Sequence, residues 1–105
     1  MNLGELIKLA GDNVTFDETN YPALKGATEE AKLAFALHHS ALHFSKTAGK
    51  IAKVVEDIDH GGGLDMESLK ANVWKSFINT AWLAEKIGMS NEEIETAIRA
   101  KYSKE

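Results

Sequence analysis

Apolar side chains recur through the middle of the chain at Leu37, Ala41, Phe44, Ala48, Ile51, Val55 and Ile58, in alternating steps of four and three. Such a set falls on one side of a helix and on no single side of a strand. Thr28 is placed to cap this helix, with Glu29 and Glu30 in its first turn, where the macrodipole favours anions. The run His60-Gly61-Gly62-Gly63 ends it, because successive glycines are costly to hold helical. The pattern therefore predicts a helix over 28–60, long by globular standards, with room for a break near His38 to Ser40.

Asp65 caps the next predicted helix, 65–88, which carries Leu69, Val73, Trp74, Phe77, Ile78, Ala81, Trp82, Leu83, Ala84 and Ile87. These side chains cover more than one face, so more than one neighbour should enclose it. Ser90-Asn91-Glu92-Glu93 spells a capping box for a closing helix over 90–103, with Ile94, Ala97, Ile98, Lys101 and Tyr102 on one side. In residues 1–27, Leu3, Leu6, Ile7 and Ala10 predict a short first helix, and Gly11 to Gly26, with Pro22, reads as a loop. No stretch alternates as a strand would. The expected fold is all-α, a single bundle of four to five helices. A helix that is apolar nearly all round would leave large exposed patches on a lone copy, so a homodimer or tetramer is expected.

Composition narrows the picture further. With 105 residues there is material for one core. The chain is 44% apolar and 27% charged, the profile of an ordinary soluble domain. No apolar run reaches the roughly 18–20 residues that cross a bilayer, and Met1-Asn2-Leu3-Gly4-Glu5 lacks the features of a secretory leader. A cytoplasmic protein without a membrane partner is expected. The count of Cys is 0, which excludes disulfide scaffolds, zinc thiolate sites and cysteine nucleophiles. A net charge of -4 argues against general DNA or RNA binding.

The charges are unevenly placed. All 16 carboxylates lie outside Ala31 to Val55 and Ser68 to Ala84, whereas Lys32, Lys46, Lys50, Lys53, Lys70 and Lys75 lie within. His39, His43, Lys46 and Lys50 follow steps of four, three and four, a polar stripe on the long helix; Asn72, Lys75 and Asn79 share a face on the next. If the stripes face each other they line a pocket of ammonium, imidazole and amide donors, suited to phosphates, with Trp74 or Trp82 available to stack on a base. Ammonium groups buried there would be costly without an anion to neutralise them. If instead both stripes face water, they are solvated surface.

At these residues the chain resembles the MazG-like nucleotide pyrophosphohydrolases. The run Leu42-His43-Phe44-Ser45-Lys46-Thr47-Ala48-Gly49-Lys50-Ile51-Ala52-Lys53 is similar to the family's helix carrying Glu-Glu-x-x-Glu within Leu-x-x-x-Glu-Glu-Ala-Gly-Glu-Val-Ala. Asn72-Val73-Trp74-Lys75 falls where the family has Glu-x-x-Asp, and Leu83 to Ser90 with the closing helix follow the family's ending. The likeness spans Leu37 to Lys104 and rests on hydrophobic frame, Ala-Gly placement and turn position. It implies a MazG-like helical bundle. In the family the motif carboxylates hold magnesium, which bridges the nucleotide phosphates and helps activate water. Here those positions become Lys46, Thr47, Lys50, Asn72 and Lys75, with no carboxylate among them. A divalent cation set among three ammonium groups is repelled by roughly several kcal/mol. The resemblance therefore implies an inactive relative with no catalytic residues, no metal and no cofactor.

Binding can outlast catalysis, since an ammonium can take the place of magnesium against a phosphate. The leading reading is a non-catalytic homo-oligomer that binds and sequesters a nucleotide or nucleotide-derived signal, as a phage or mobile-element counter-defence protein would. Lys46, Lys50 and Lys75 are the expected phosphate contacts, with His39, His43, Asn72 and Asn79 as donors. The alternatives are a protein-interaction module without ligand, and an active pyrophosphohydrolase using Glu56, Asp57 and Asp59 instead. Two metal signals are weaker. The Asp57 to Glu67 segment has Ser68 where an EF-hand loop needs Glu, and His39 with His43 lacks a third zinc ligand.

Overall fold

Each helix begins where a short polar side chain closes its first turn. In the computed structural model, which describes residues 1–103, Asn2 Oδ1 accepts from the Glu5 amide at 2.9 Å and opens α1, Leu3–Asn13. Thr28 Oγ1 accepts from the Ala31 amide at 3.1 Å and opens α2, Glu29–Asp59. Asp65 Oδ1 accepts from the Ser68 amide at 3.0 Å at the head of α3, Met66–Lys86. The capping box before α4, Asn91–Tyr102, is complete: the Glu93 amide donates to Ser90 Oγ at 3.1 Å, and the Ser90 amide donates to Glu93 Oε2 at 3.2 Å. A short 3-10 turn, Pro22–Leu24, sits in the connection from α1 to α2. The described residues hold no strand, and no helix is long and apolar enough to cross a membrane. Lys104, the last position of the family likeness, lies outside the described residues.

One possibility that the helical pattern left open is not realised, and one expectation is corrected. The long helix is unbroken through His38 to Ser40, its 31 residues forming one element. The first helix continues past Gly11 to Asn13. Gly11 is buried in it because the Glu85 side chain of α3 packs where a Cβ would stand, so the glycine marks a close approach of helices and not a loop. Between α2 and α3, Gly61 adopts φ +87°, the left-handed conformation that lets the chain reverse.

The core lies at one end. Ile7 and Ala10 of α1 bury against Ala81, Trp82 and Ala84 of α3, flanked by Leu3, Leu6, Val14, Phe16, Leu83, Met89 and Ile94. Along the rest of the α2–α3 hairpin the seam is small and polar. Ala36, Ser40, Thr47 and Val54 of α2 are buried against α3, which contributes Asn72 and Asn79. The stripe predicted to face the core, from Leu37 to Ile58, lies on the neighbouring side of α2, and Leu37, Val55 and Ile58 are exposed. Small residues at steps of four and seven allow the helices to approach closely, so they, and not the bulky stripe, form the contact within the chain.

Candidate functional site

With α2 and α3 running antiparallel, the two polar stripes meet along one flank of the seam. There a cleft of about 300 Å³ receives His43, Lys46, Thr47 and Lys50 from α2, and Asn72, Lys75 and Asn79 from α3. Six of the residues expected from spacing to bind phosphate therefore line one cleft: Lys46, Lys50, Lys75, His43, Asn72 and Asn79. The seventh, His39, stands one turn back and reaches the cleft through His43. Thr47 is the residue that the donor stripe omitted. It is buried, and Asn79 Nδ2 donates to its Oγ1 at 3.0 Å. The steps of four and three from His43 to Thr47 to Lys50 carry that signal in the sequence.

The amides have separate roles. Asn79 ties the helices together through Thr47. Asn72 donates from Nδ2 to its own helix at the Ser68 carbonyl, at 2.8 Å. This leaves Asn72 Oδ1 buried and without a hydrogen-bond partner among the described residues, although the side chain is only 4% exposed. An orphaned acceptor of this kind costs about 1–3 kcal/mol until a donor reaches it.

All three cleft lysines are exposed, which corrects the expectation of a positive interior: their ammonium groups keep their hydration, and no burial cost falls on the unliganded protein. None of the three is in an ion pair among the described residues. The cleft runs on into a second of about 360 Å³, where Lys50, Asn72 and Lys75 meet Asp57 and Asp65. Both carboxylates there are engaged, Asp57 with Lys53 at 2.9 Å and Asp65 in its cap. A further hollow beside Phe16 and Lys32 has that lysine paired with Glu29 at 3.4 Å.

Behind the cleft, aromatic rings surround the histidines. His43 Nε2 lies 3.1 Å from His39 Nε2, which lies 3.2 Å from the Tyr21 hydroxyl. One of the two imidazole nitrogens must carry the hydrogen while the other accepts it. Burial, then His39, then the Lys46 ammonium hold the His43 pKa below the ordinary histidine value. His39 stacks on Phe35 at 5.7 Å between ring centroids.

The two tryptophans part company. Trp82 is 4% exposed, with its ring against Phe16 at 5.5 Å and His43 at 5.0 Å, so it is a core side chain and offers no open face to a base. Trp74 lies on the rim, 52% exposed, with Lys75 Nζ 5.8 Å from its ring centroid. Glu56, Asp57 and Asp59 sit exposed at the far end of α2, with Glu56 3.6 Å from His60. Among the described residues no three of His, Asp and Glu come together as a metal site.

No family model matches the chain, and no curated protein or solved structure matches it significantly.

Proposed function

We propose that this chain is a non-catalytic, MazG-like protein that binds and sequesters a nucleotide or nucleotide-derived signalling molecule as a cytoplasmic homo-oligomer. A phage or mobile element would use it to remove a host alarm molecule. One observation carries the reading: the ammonium groups of Lys46, Lys50 and Lys75, none of them in an ion pair among the described residues, line one cleft together with Asn72 and Asn79. The ammonium groups favour an anion. A nucleoside phosphate supplies one, and Trp74 on the rim can take its base.

The reading draws on one further feature of the geometry. The five positions that the family likeness equates with metal-binding carboxylates, Lys46, Thr47, Lys50, Asn72 and Lys75, all border the same cleft. Lysine there holds phosphate as a point charge and does not lower the pKa of a water as a bound metal would. Sequestration without turnover follows from that substitution.

The test is thermal shift against linear nucleotides, cyclic dinucleotides and ADP-ribose derivatives, with and without magnesium, followed by recovery of the ligand. A magnesium-independent rise in Tm with intact ligand recovered is the expected result. Magnesium-dependent release of pyrophosphate, or no shift with any phosphate compound, overturns it. The second outcome leaves an interaction module, a reading favoured by the exposed apolar side of the α2–α3 hairpin.

A further inference from the structure

We propose that a second copy of this chain docks on the apolar flank of the α2–α3 hairpin, closing a two-fold four-helix bundle that leaves both anion clefts open to solvent. This gives the self-association in the proposed function a definite face, and it does not depend on the identity of the ligand.

The flank is the side of the seam away from the cleft. From α2 it receives Leu37, Phe44, Ile51 and Val55, and from α3 Val73 and Phe77. Phe77 is 63% exposed, a large value for a phenylalanine with nothing to cover it. The stripe from Leu37 to Ile58 repeats every 3.5 residues for three heptads, the period with which one helix supercoils about another. The helix that α2 meets within its own chain does not take this stripe, since Ala36, Ser40, Thr47 and Val54 face α3 instead. A heptad seam turned away from α3, the helix that α2 packs against most extensively, is open to another molecule.

Area points to the occupant. The chain exposes 7658 Å², whereas a folded monomer of 11.5 kDa exposes about 5,800 Å². The excess, roughly 1,900 Å² per copy, is the amount that obligate homodimers bury. The Cα radius of gyration tells the same story, 16.9 Å against about 13 Å for a compact chain of this length. In the arm formed by residues 50–75, only Val54 and Asn72 are buried, so the arm has almost no core of its own.

Charge favours self-pairing. A two-fold axis lays a surface upon itself, so a charged flank would meet its own charge. The α2 positions 37, 41, 44, 48, 51 and 55 and the α3 positions 69, 73, 76, 77 and 80 carry no ionisable group, and the charge on this face is the single Lys70, one heptad before Phe77 at the outer end of the arm. The lysines and histidines of the cleft lie round the other side of both helices, out of the contact.

Sedimentation of the whole chain tests this together with two substitutions, Phe77→Lys and Val55→Lys. The wild type should sediment as a dimer or a higher even oligomer, and each lysine should weaken association roughly a hundredfold or more, the scale of one uncompensated buried charge. Because a lysine variant can unfold, single-cysteine labelling supplies a second readout in a chain that has no native thiol. A cysteine introduced by Ala48→Cys should be protected from maleimide in the native assembly, and one introduced by Lys46→Cys should react freely. A monomer at all concentrations overturns the proposal, as does an assembly in which Ala48→Cys labels as fast as Lys46→Cys. A monomer that still binds nucleotide overturns this inference and the homo-oligomer of the proposed function but leaves the ligand reading standing, and a dimer that binds none overturns only the ligand reading.

Discussion

Asn79 of α3 donates its side-chain amide to the hydroxyl of Thr47 on α2 at 3.0 Å, and both residues are buried. This is the one side-chain hydrogen bond between two buried groups that crosses the seam in the described residues, and it fixes the register that brings Lys50 opposite Lys75. Asn79→Ala leaves Thr47 without its donor and should lower the unfolding free energy by about 1–3 kcal/mol. Thr47→Val combined with Asn79→Leu removes both polar partners and should recover part of that loss. Urea titration of the three variants checks the order.

The cleft lysines are exposed to water, so an anion held by them under the proposed function would gain correspondingly modest energy from each. Lys50→Gln or Lys75→Gln should each weaken nucleotide binding by about 1 kcal/mol, roughly fivefold, at low salt. The difference should shrink as salt is raised. Lys70→Gln serves as the control, since Lys70 is exposed and lines none of these clefts. Isothermal titration at two salt concentrations measures all three; an equal loss for Lys70→Gln would contradict the assignment.

His43 links stability to pH and, under the proposed function, binding as well. Its pKa is held below the ordinary histidine value, so the folded chain binds fewer protons there than the unfolded chain does. Its contribution to stability is complete above about pH 6.5 and is lost as pH falls from there through the folded value. His43→Gln should flatten the fall in urea midpoint over that interval. An anion in the cleft favours the imidazolium against the opposing effects of His39 and Lys46, so nucleotide affinity should rise as pH falls through the same interval. Affinity that is flat with pH would place the anion away from His43.

Gly11 reports how closely α1 lies against α3. An added Cβ meets the Glu85 side chain, whose carboxylate also pairs with Lys86 at 2.9 Å. Gly11→Ala should therefore destabilise the protein by about 1–3 kcal/mol, less the helix preference gained by alanine. Gly11→Ala with Glu85→Ala removes the obstacle and should be the more stable of the two variants. Thermal unfolding distinguishes them.

The sequence made the caps legible because each rests on a local bond: Thr28, Asp65 and Ser90 open the helices they were expected to open. The cleft was legible for a similar reason, as spacing along each helix decides which side chains share a face. What covers a face is a different matter. The Leu37 to Ile58 stripe announces an apolar side without naming its neighbour, and within the chain the closer contact through Ala36, Ser40 and Thr47 prevails. Trp82 misled for the same reason. Its position on α3 says nothing of Phe16, which arrives from a connection with no periodic pattern and packs against its ring.

The caps carry one more implication. Asn2, Thr28, Asp65 and Ser90 each occupy a backbone amide in the first turn of a helix, where many proteins cradle phosphate on rigid N–H groups. An anion in the α2–α3 cleft therefore meets long, rotatable ammonium side chains in place of a fixed mould. Such contacts tolerate phosphates at different spacings, so selectivity among ligands falls to the rigid members of the cleft, Thr47 and Asn72, and to the nearby Trp74 ring. A site built this way suits a trap for a class of compounds better than a detector of one.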